Sequence, residues 1–384
     1  MNNNIPFVAG WFLMACILIL SGCTEHAPQI PKTESETLNA LLESAPNSIV
    51  PLAELPIDTF YAEPEHVMAD SSVDSLSPSG RLGRVAGLIK IGDSLYVADG
   101  QQNCIWVIDQ KGTICRKIGR SGRGPGEYSD LIGLMRNTDH IFTADISNAR
   151  IQIFDYSFNL QTTFNRVIYG TALTGTKSMS ITDSLLYLST GAMNPTEDLI
   201  SFYQAAPPFD SSGSFHPRLI PGGMQPGAYN NYSMDTNSRG EVAVSYTGLP
   251  YIFLYDNSHQ LYHVIYVKVP EKDLPDNPPL KPVDKPARTA SESIGVKGLI
   301  GKSFLTENGD LYFSHGSKLY HLSYHSDEKE YQAEWVKFFT YNDPKIREER
   351  PYGINVSNFI IDQDENQVYF GSIFEEYIYR FDLE

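Results

Sequence analysis

The chain has 384 residues, 46 acidic against 29 basic side chains, and a formal net charge of −17. That length supports a large buried core. So acidic a surface repels nucleic acid and anionic lipid, which argues against a nucleic-acid role and against membrane attachment through a basic patch.

Residues 1–22 read as a signal segment. Phe12 to Leu20 is an apolar run and Leu20-Ser21-Gly22-Cys23 follows it. The run is too short and wrongly flanked for a stop-transfer helix. The Leu-Ser-Gly-Cys phrase resembles a bacterial lipoprotein box. That resemblance implies that Cys23 becomes the first residue of the mature protein and carries lipid, so the membrane is a partner through Cys23. Residues 23–46 read as the tether. Thr33-Glu-Ser-Glu36 has the form of a capping box. Leu38, Leu41, Leu42 and Ala45 then share one helical face before Pro46 stops the run. A short helix, packed loosely as a spacer, is expected there.

From residue 47 onward the dominant feature is a phrase that returns six times: Leu95-Tyr-Val-Ala-Asp-Gly, Ile141-Phe-Thr-Ala-Asp-Ile, Leu186-Tyr-Leu-Ser-Thr-Gly, Val242-Ala-Val-Ser-Tyr-Thr, Leu311-Tyr-Phe-Ser-His-Gly and Val368-Tyr-Phe-Gly-Ser-Ile. Each is an apolar strand ending in small or polar residues. Each precedes a second strand of the Ile105-Trp-Val-Ile-Asp or Ile151-Gln-Ile-Phe-Asp kind. Strand pairs recurring at this period predict an all-β, six-bladed β-propeller over residues 47–384. The blades are expected near 84–120, 130–167, 177–220, 232–269, 298–340 and 356–384. The last has only three strands of its own, so an N-terminal outer strand should close it and remove the open edge. Ile49–Leu55 is the expected donor, and its Pro51 suits an outermost strand.

Two stretches interrupt the repeat. Residues 205–231 carry Pro207-Pro208 and Gly222-Gly223, and residues 270–297 contain six prolines. Both read as long loops on one face. Cys104 and Cys115 flank a hairpin whose turn, Asp109-Gln-Lys-Gly112, sets Cys104 opposite Lys117 and Cys115 opposite Trp106. The thiols then lie diagonally, about 7–8 Å apart, and bridge only if a bulge shifts the register.

The strongest local phrase is Ile118-Gly-Arg-Ser-Gly-Arg-Gly-Pro-Gly-Glu-Tyr128. Pro-Gly sets a type II turn, and the tyrosine is placed to pack between blades. Pro125 and the missing Lys-Ser/Thr ending argue against a phosphate loop. This phrase, the strand-Ala-Asp and Ile-x-x-Phe-Asp repeats and the lipobox together resemble the TolB-like or NHL-like six-bladed propeller lipoproteins of Bacteroidota. The resemblance covers roughly residues 47–384 and implies a cell-envelope, lipid-anchored location, most simply the outer membrane. It implies no activity.

Candidate functional residues are few. Arg116, Lys117, Arg120 and Arg123 form a basic strip in an acidic chain, suited to an anionic ligand or a partner carboxylate. Tyr229, Tyr232, Tyr246 and Tyr251 could line a binding face. His259 with His263, and His321 with His325, stand four apart on strands, about 13 Å from each other, too far for one zinc ion. Asp99, Asp145, Asp183, Asp235, Asp362 and Asp364 lie near strand ends. Calcium is the ion such oxygen ligands suit, although no three of them are placed together by sequence. No nucleophile elbow occurs. The expectation is a non-catalytic envelope lipoprotein without a cofactor, whose propeller face binds a protein, peptide or glycan. The alternative is a calcium-dependent, lactonase-like hydrolase working in the central tunnel.

Overall fold

Each recurring phrase forms the second strand of a blade of four antiparallel strands, and six such blades follow one another in chain order, blades four and five each gaining a fifth, parallel strand. The computed structural model describes residues 35–63, 66–68, 82–167, 179–190, 198–219, 231–269, 299–371 and 377–383, with Ile30. The chain divides into two units, Met1–Lys32 and Thr33–Glu384, and the architecture below belongs to the second. Blade one runs from its inner strand Val85–Ile91 to its outer strand Ile114–Ile118. Blade two spans Leu131–Asn165, blade three Met179–Phe215, blade four Tyr232–Lys268, blade five Ser303–Tyr341 and blade six Asn358–Asp382. The result is the expected all-β, six-bladed propeller.

The fourth residue of every phrase is small: Ala98, Ala144, Ser189, Ser245, Ser314 and Gly371. Inner strands of adjacent blades approach closely beside this position. A Cβ on Gly87, the cross-strand partner of Ala98, would lie 2.8 Å from the Leu134 amide of blade two. A Cβ on Gly371 would lie 2.8 Å from the Val85 side chain of blade one. Larger alternating residues fill the seams further out, as in the cluster of Ala243, Ile252, Leu254 and Ile265 from blade four with Leu305 and Tyr320 from blade five.

The N-terminal segment closes the ring, though not through the expected residues. Helix α1 (Glu36–Ser44) is capped by Ser35, whose hydroxyl accepts from the Leu38 amide at 3.1 Å; Thr33 lies outside the described residues. Leu38 and Leu42 are buried, so α1 packs firmly and is no loose spacer. Strand β1 (Asn47–Pro51) then pairs in parallel with the outer strand of blade four, from Asn47 opposite Val264 to Pro51 opposite Lys268. Strand β2 (Ile57–Ala62) pairs in parallel with the outer strand of blade five, from Ile57 opposite Val336 to Ala62 opposite Tyr341. Only β3 (Val67–Met68) completes blade six, antiparallel to Ile378–Tyr379. Closure by an N-terminal outer strand therefore holds, but the donor is β3. The Ile49–Leu55 region goes instead to blade four, with Pro51 on an outermost strand as its missing amide proton requires.

The Cys104–Cys115 hairpin also departs from expectation. The Asp109 carboxylate accepts from the Lys111 and Thr113 amides at 2.9 and 2.8 Å, and Gly112 sits at φ +82°. This makes a three-residue loop and a register one step off. A bulge at Cys115 then adds another step, so Arg116 opposes Val107 and Lys117 opposes Trp106. Both cysteines are free, Cys104 in the core and Cys115 exposed; burial pushes the Cys104 thiol up to about 12. Of the two interrupting stretches, residues 211–215 form the outer strand of blade three. Residues 220–230 and 270–297 lie outside the described residues.

One buried histidine fastens the N-terminal segment. The Ser48 hydroxyl accepts from the Tyr331 amide at 2.7 Å and meets His263 Nε2 at 2.6 Å, which leaves the serine proton for the ring and the ring neutral. Burial pushes His263 down to about 4 and His216 down to about 3. The unfolded chain therefore binds more protons than the folded one once pH drops below about 6.5, and stability falls from there toward pH 4. Melting temperature should be flat from pH 8 to 7 and decline between pH 6.5 and 4. His263→Gln should shed part of that decline, and an unchanged slope would contradict the assignment.

Candidate functional site

The inner strand of every blade stands at the edge of its sheet, so unpaired backbone groups face the central tunnel. The tunnel encloses a cavity of about 700 Å³ whose walls include Ile132, Phe304 and Ile360. Its rim, where first strands run into the turns that follow them, carries Lys90, Asp93, Arg136 and Asp364. Lys90 joins blade one to blade six by ion pairs with Asp362 and, at 2.6 Å, Glu365. Burial disfavours its ammonium, but the hydrogen bonds to Asp362 and Glu365 outweigh this and raise its pKa above the usual lysine range. Deeper in, the Lys302 ammonium donates to the Phe359 carbonyl and lies 5.3 Å from that ring's centroid. Asp235 accepts from the Leu305 amide at 3.0 Å.

The acids near strand ends separate into different places. Asp99 and Asp145 end second strands and are buried. Asp99 accepts from the amides of Gly83, Gln101 and Gln102 and from the Trp106 indole. Asp145 accepts from the Ser129 and Asp130 amides, the Asn148 amide group and Arg150. Both are occupied in turn formation. Asp183 accepts from Thr138 across the seam of blades two and three, whereas Asp235, Asp362 and Asp364 border the tunnel. Among the described residues no group of three His, Cys, Asp or Glu side chains is placed to hold a metal.

The tyrosines do not form an exposed face. Tyr232, Tyr246 and Tyr251 are buried, and Tyr229 lies outside the described residues. Tyr246 and Tyr255 hold His216 between their hydroxyls, at 2.6 Å from Nε2 and 2.5 Å from Nδ1. Here the alternating pattern placed aromatics in the seam of blades three and four.

The four basic residues lie on the outer strand of blade one and in the loop that follows it. Cys115, Arg116 and Lys117 are exposed on its outer strand, because the bulge leaves Cys115 unpaired. The Lys117 ammonium lies 4.8 Å from the centroid of the Trp106 ring. Arg120 pairs with Glu127 at 2.8 Å. The Gly124 amide, with Arg120, holds the Glu127 carboxyl below the ordinary range. Arg116 and Arg123 are exposed, and among the described residues neither meets a carboxylate.

The glycine-rich phrase that carries Arg120 and Arg123 is a rigid platform built by blade two. Arg150 donates to the carbonyls of Arg123, Gly124 and Glu127 at 2.8, 3.0 and 2.9 Å. Gln152 accepts from the Gly126 amide and donates to the Glu127 carbonyl. Asn148 donates to the Gly122 carbonyl. Tyr128 is fully buried beneath, with its hydroxyl pushed up to about 12 by that burial. Sequence reasoning found the loop but not its organiser. The available signal was Arg150 opposite Asp145 in the blade-two hairpin.

Residues 79–343 match the model of the DUF5128 family, described as a 6-bladed beta-propeller. The chain belongs to this family. Similar solved structures include an exported protein of Bacteroides fragilis, 13% identical with a TM-score of 0.48, covering 84% of this chain and 88% of that one. They also include the extracellular domain of a one-component system of B. thetaiotaomicron, 16% identical with a TM-score of 0.38, covering 78% of this chain and 33% of that one. A third is virginiamycin B lyase from Staphylococcus aureus, 10% identical with a TM-score of 0.43, covering 76% and 78%. Among curated proteins no match was found. Within this family member the loop geometry has a direct consequence. Gly126 holds φ +69° with open space around its missing Cβ, so Gly126→Val should cost about 1–2 kcal/mol through backbone strain alone. Arg123→Ala should stay within about 0.5 kcal/mol. Chemical denaturation of the two variants compares them directly, and equal midpoints would refute the turn assignment.

Proposed function

We propose that this DUF5128 propeller is a non-catalytic, envelope-anchored binding protein of the TolB-like or NHL-like lipoprotein kind. Lipid on Cys23 would hold it at the membrane, with the outer membrane as its place. Its partner is an anionic segment of a protein, peptide or glycan, taken on the basic strip of Arg116, Lys117, Arg120 and Arg123. One observation carries this reading. A chain of net charge −17 displays exposed arginines at 116 and 123 without carboxylate partners among the described residues, Arg116 on the outer strand of blade one and Arg123 on the loop held by Arg150. Exposed cations that are already positioned lose little freedom on meeting a carboxylate.

The test uses two immobilised anionic polymers, polyglutamate for an acidic peptide and polygalacturonate for an acidic glycan. The chain should bind one of them with a dependence on salt. Arg116→Ala/Arg123→Ala should weaken that binding about fivefold or more, a typical loss for two charge-assisted contacts, at unchanged melting temperature. Equal binding by the double variant, or no binding to either polymer at low salt, would remove the strip as the site.

A further inference from the structure

Four hydroxyls at the seam between blades four and five are buried without a hydrogen-bond partner. Ser233 and Ser303 stand on the inner strands of the two blades, Ser245 on the second strand of blade four, and Thr247 just past its end. The three serines have no exposed surface. The side-chain oxygen of each of the four is buried and meets no donor or acceptor among the described residues. Other inner-strand and second-strand hydroxyls are matched. Ser180 bonds Thr236 at 2.9 Å across the seam of blades three and four, Ser314 accepts from the Lys302 amide at 3.2 Å, and Thr143 donates to the Gln152 carbonyl at 3.4 Å.

Backbone register gathers these groups. Ser233 and Ser245 are directly opposite one another in the blade-four sheet, which sets their Cβ atoms about 4.5–5.5 Å apart. Two residues along, Asp235 accepts from the Leu305 amide of blade five at 3.0 Å, and its cross-strand partner Ala243 packs in one cluster with Leu305 and Tyr320. Side chains two apart on a strand share a face, so Ser233 and Ser245 look toward blade five. Ser303, two before Leu305, looks back toward blade four for the same reason. At the other end the Thr247 carbonyl accepts from the Leu299 amide at 2.7 Å. The contacts at Leu305 and Leu299 therefore bracket Ser303 at the height of Ser233 and Ser245.

We infer that this seam binds ordered water: a small internal cluster bonded to Ser233, Ser245, Ser303 and Thr247 and supplied from the central tunnel. A hydroxyl buried without a partner is costly, and folded proteins match such groups with internal waters that make about three hydrogen bonds each. Oxygens on facing strands at this spacing are what one water bridges, at about 2.8 Å to each. The four groups are neutral, and each can both donate and accept, which suits water. A bound ion would need compensating charge, and the Asp235 carboxylate on the same face is engaged by the Leu305 amide. Asp235, Lys302 and Phe304 line the tunnel cavity. Ser303 lies between the last two and faces the seam, so the cluster sits behind a single layer of tunnel wall. The seam is thus wet beside the tunnel and apolar further out, where Ile252, Leu254 and Ile265 pack.

A crystal structure of the full chain, solubilised in detergent, tests this directly. Waters should appear within about 2.6–3.2 Å of Ser303 and of Ser233 or Ser245. A seam without such density, at a resolution that shows other internal waters, would overturn the proposal. So would a density surrounded by six or more oxygens at about 2.3–2.6 Å, the coordination of calcium. Independently, Ser233→Ala and Ser303→Ala each remove one partner of a bound water. Each should raise the unfolding equilibrium constant about threefold or more in a urea titration. Deleting an orphaned hydroxyl would instead relieve its burial cost. A constant left unchanged or lowered in either variant would therefore mark that hydroxyl as dry and overturn the cluster.

Discussion

The structure depends on how closely the inner strands of neighbouring blades can approach. Six sheets meet around one tunnel only if the side chains beside the seam are small at a common height, and the chain supplies alanine, serine or glycine there in all six repeats. The 2.8 Å clearances at Gly87 and Gly371 show that nothing larger fits. Further out the gaps between blades widen, and the aromatic and branched residues of the same strands fill them at interior packing density. The repeated phrase is thus a radial size gradient written along a strand.

Closing the ring is a separate problem, because blade six arrives with three strands. The chain solves it with a belt in place of a single strand. Strands β1 and β2 attach to blades four and five at corresponding positions of their outer strands before β3 completes blade six. The junction itself is sealed near the tunnel by Lys90 with Asp362 and by the Asn358 side chain on the Val85 carbonyl at 2.8 Å. Lys337 adds a clasp at the rim, its ammonium on the Leu383 carbonyl and beside the Phe60 ring. A belt across three blades spreads closure over many residues. It also leaves a regular strand at the outside of blade five.

The functional features follow from the same scheme. Turn-forming aspartates that look like ligands in sequence are consumed by backbone amides, as Asp99 and Asp145 show. Histidine and tyrosine between blades three and four lock each other away from solvent. The outer strand of blade one exposes Arg116 and Lys117, although the protein as a whole is strongly acidic. Arg123 follows on a loop whose carbonyls are held by Arg150.

Blade count, blade limits and the fold class were legible because a strand period of two and a recurring small residue are local signals. The structural role of the glycine-rich loop was legible for the same reason: positive φ at Gly126 is a property of the turn. Partner choice across the ring was not legible. Ile49–Val50 and Val67–Met68 are both short apolar segments, and nothing local says which one reaches blade six. The hairpin register was missed because the Asp109 side chain enlarged the loop and Cys115 bulged, two single-residue steps that move every later neighbour. The sequence by itself determined the repeating unit, since local periodicity dictates strands and their buried faces. Only the tertiary structure decided which segment closes the ring and which strands end outermost in blades four and five, because those outcomes rest on contacts between residues hundreds of positions apart.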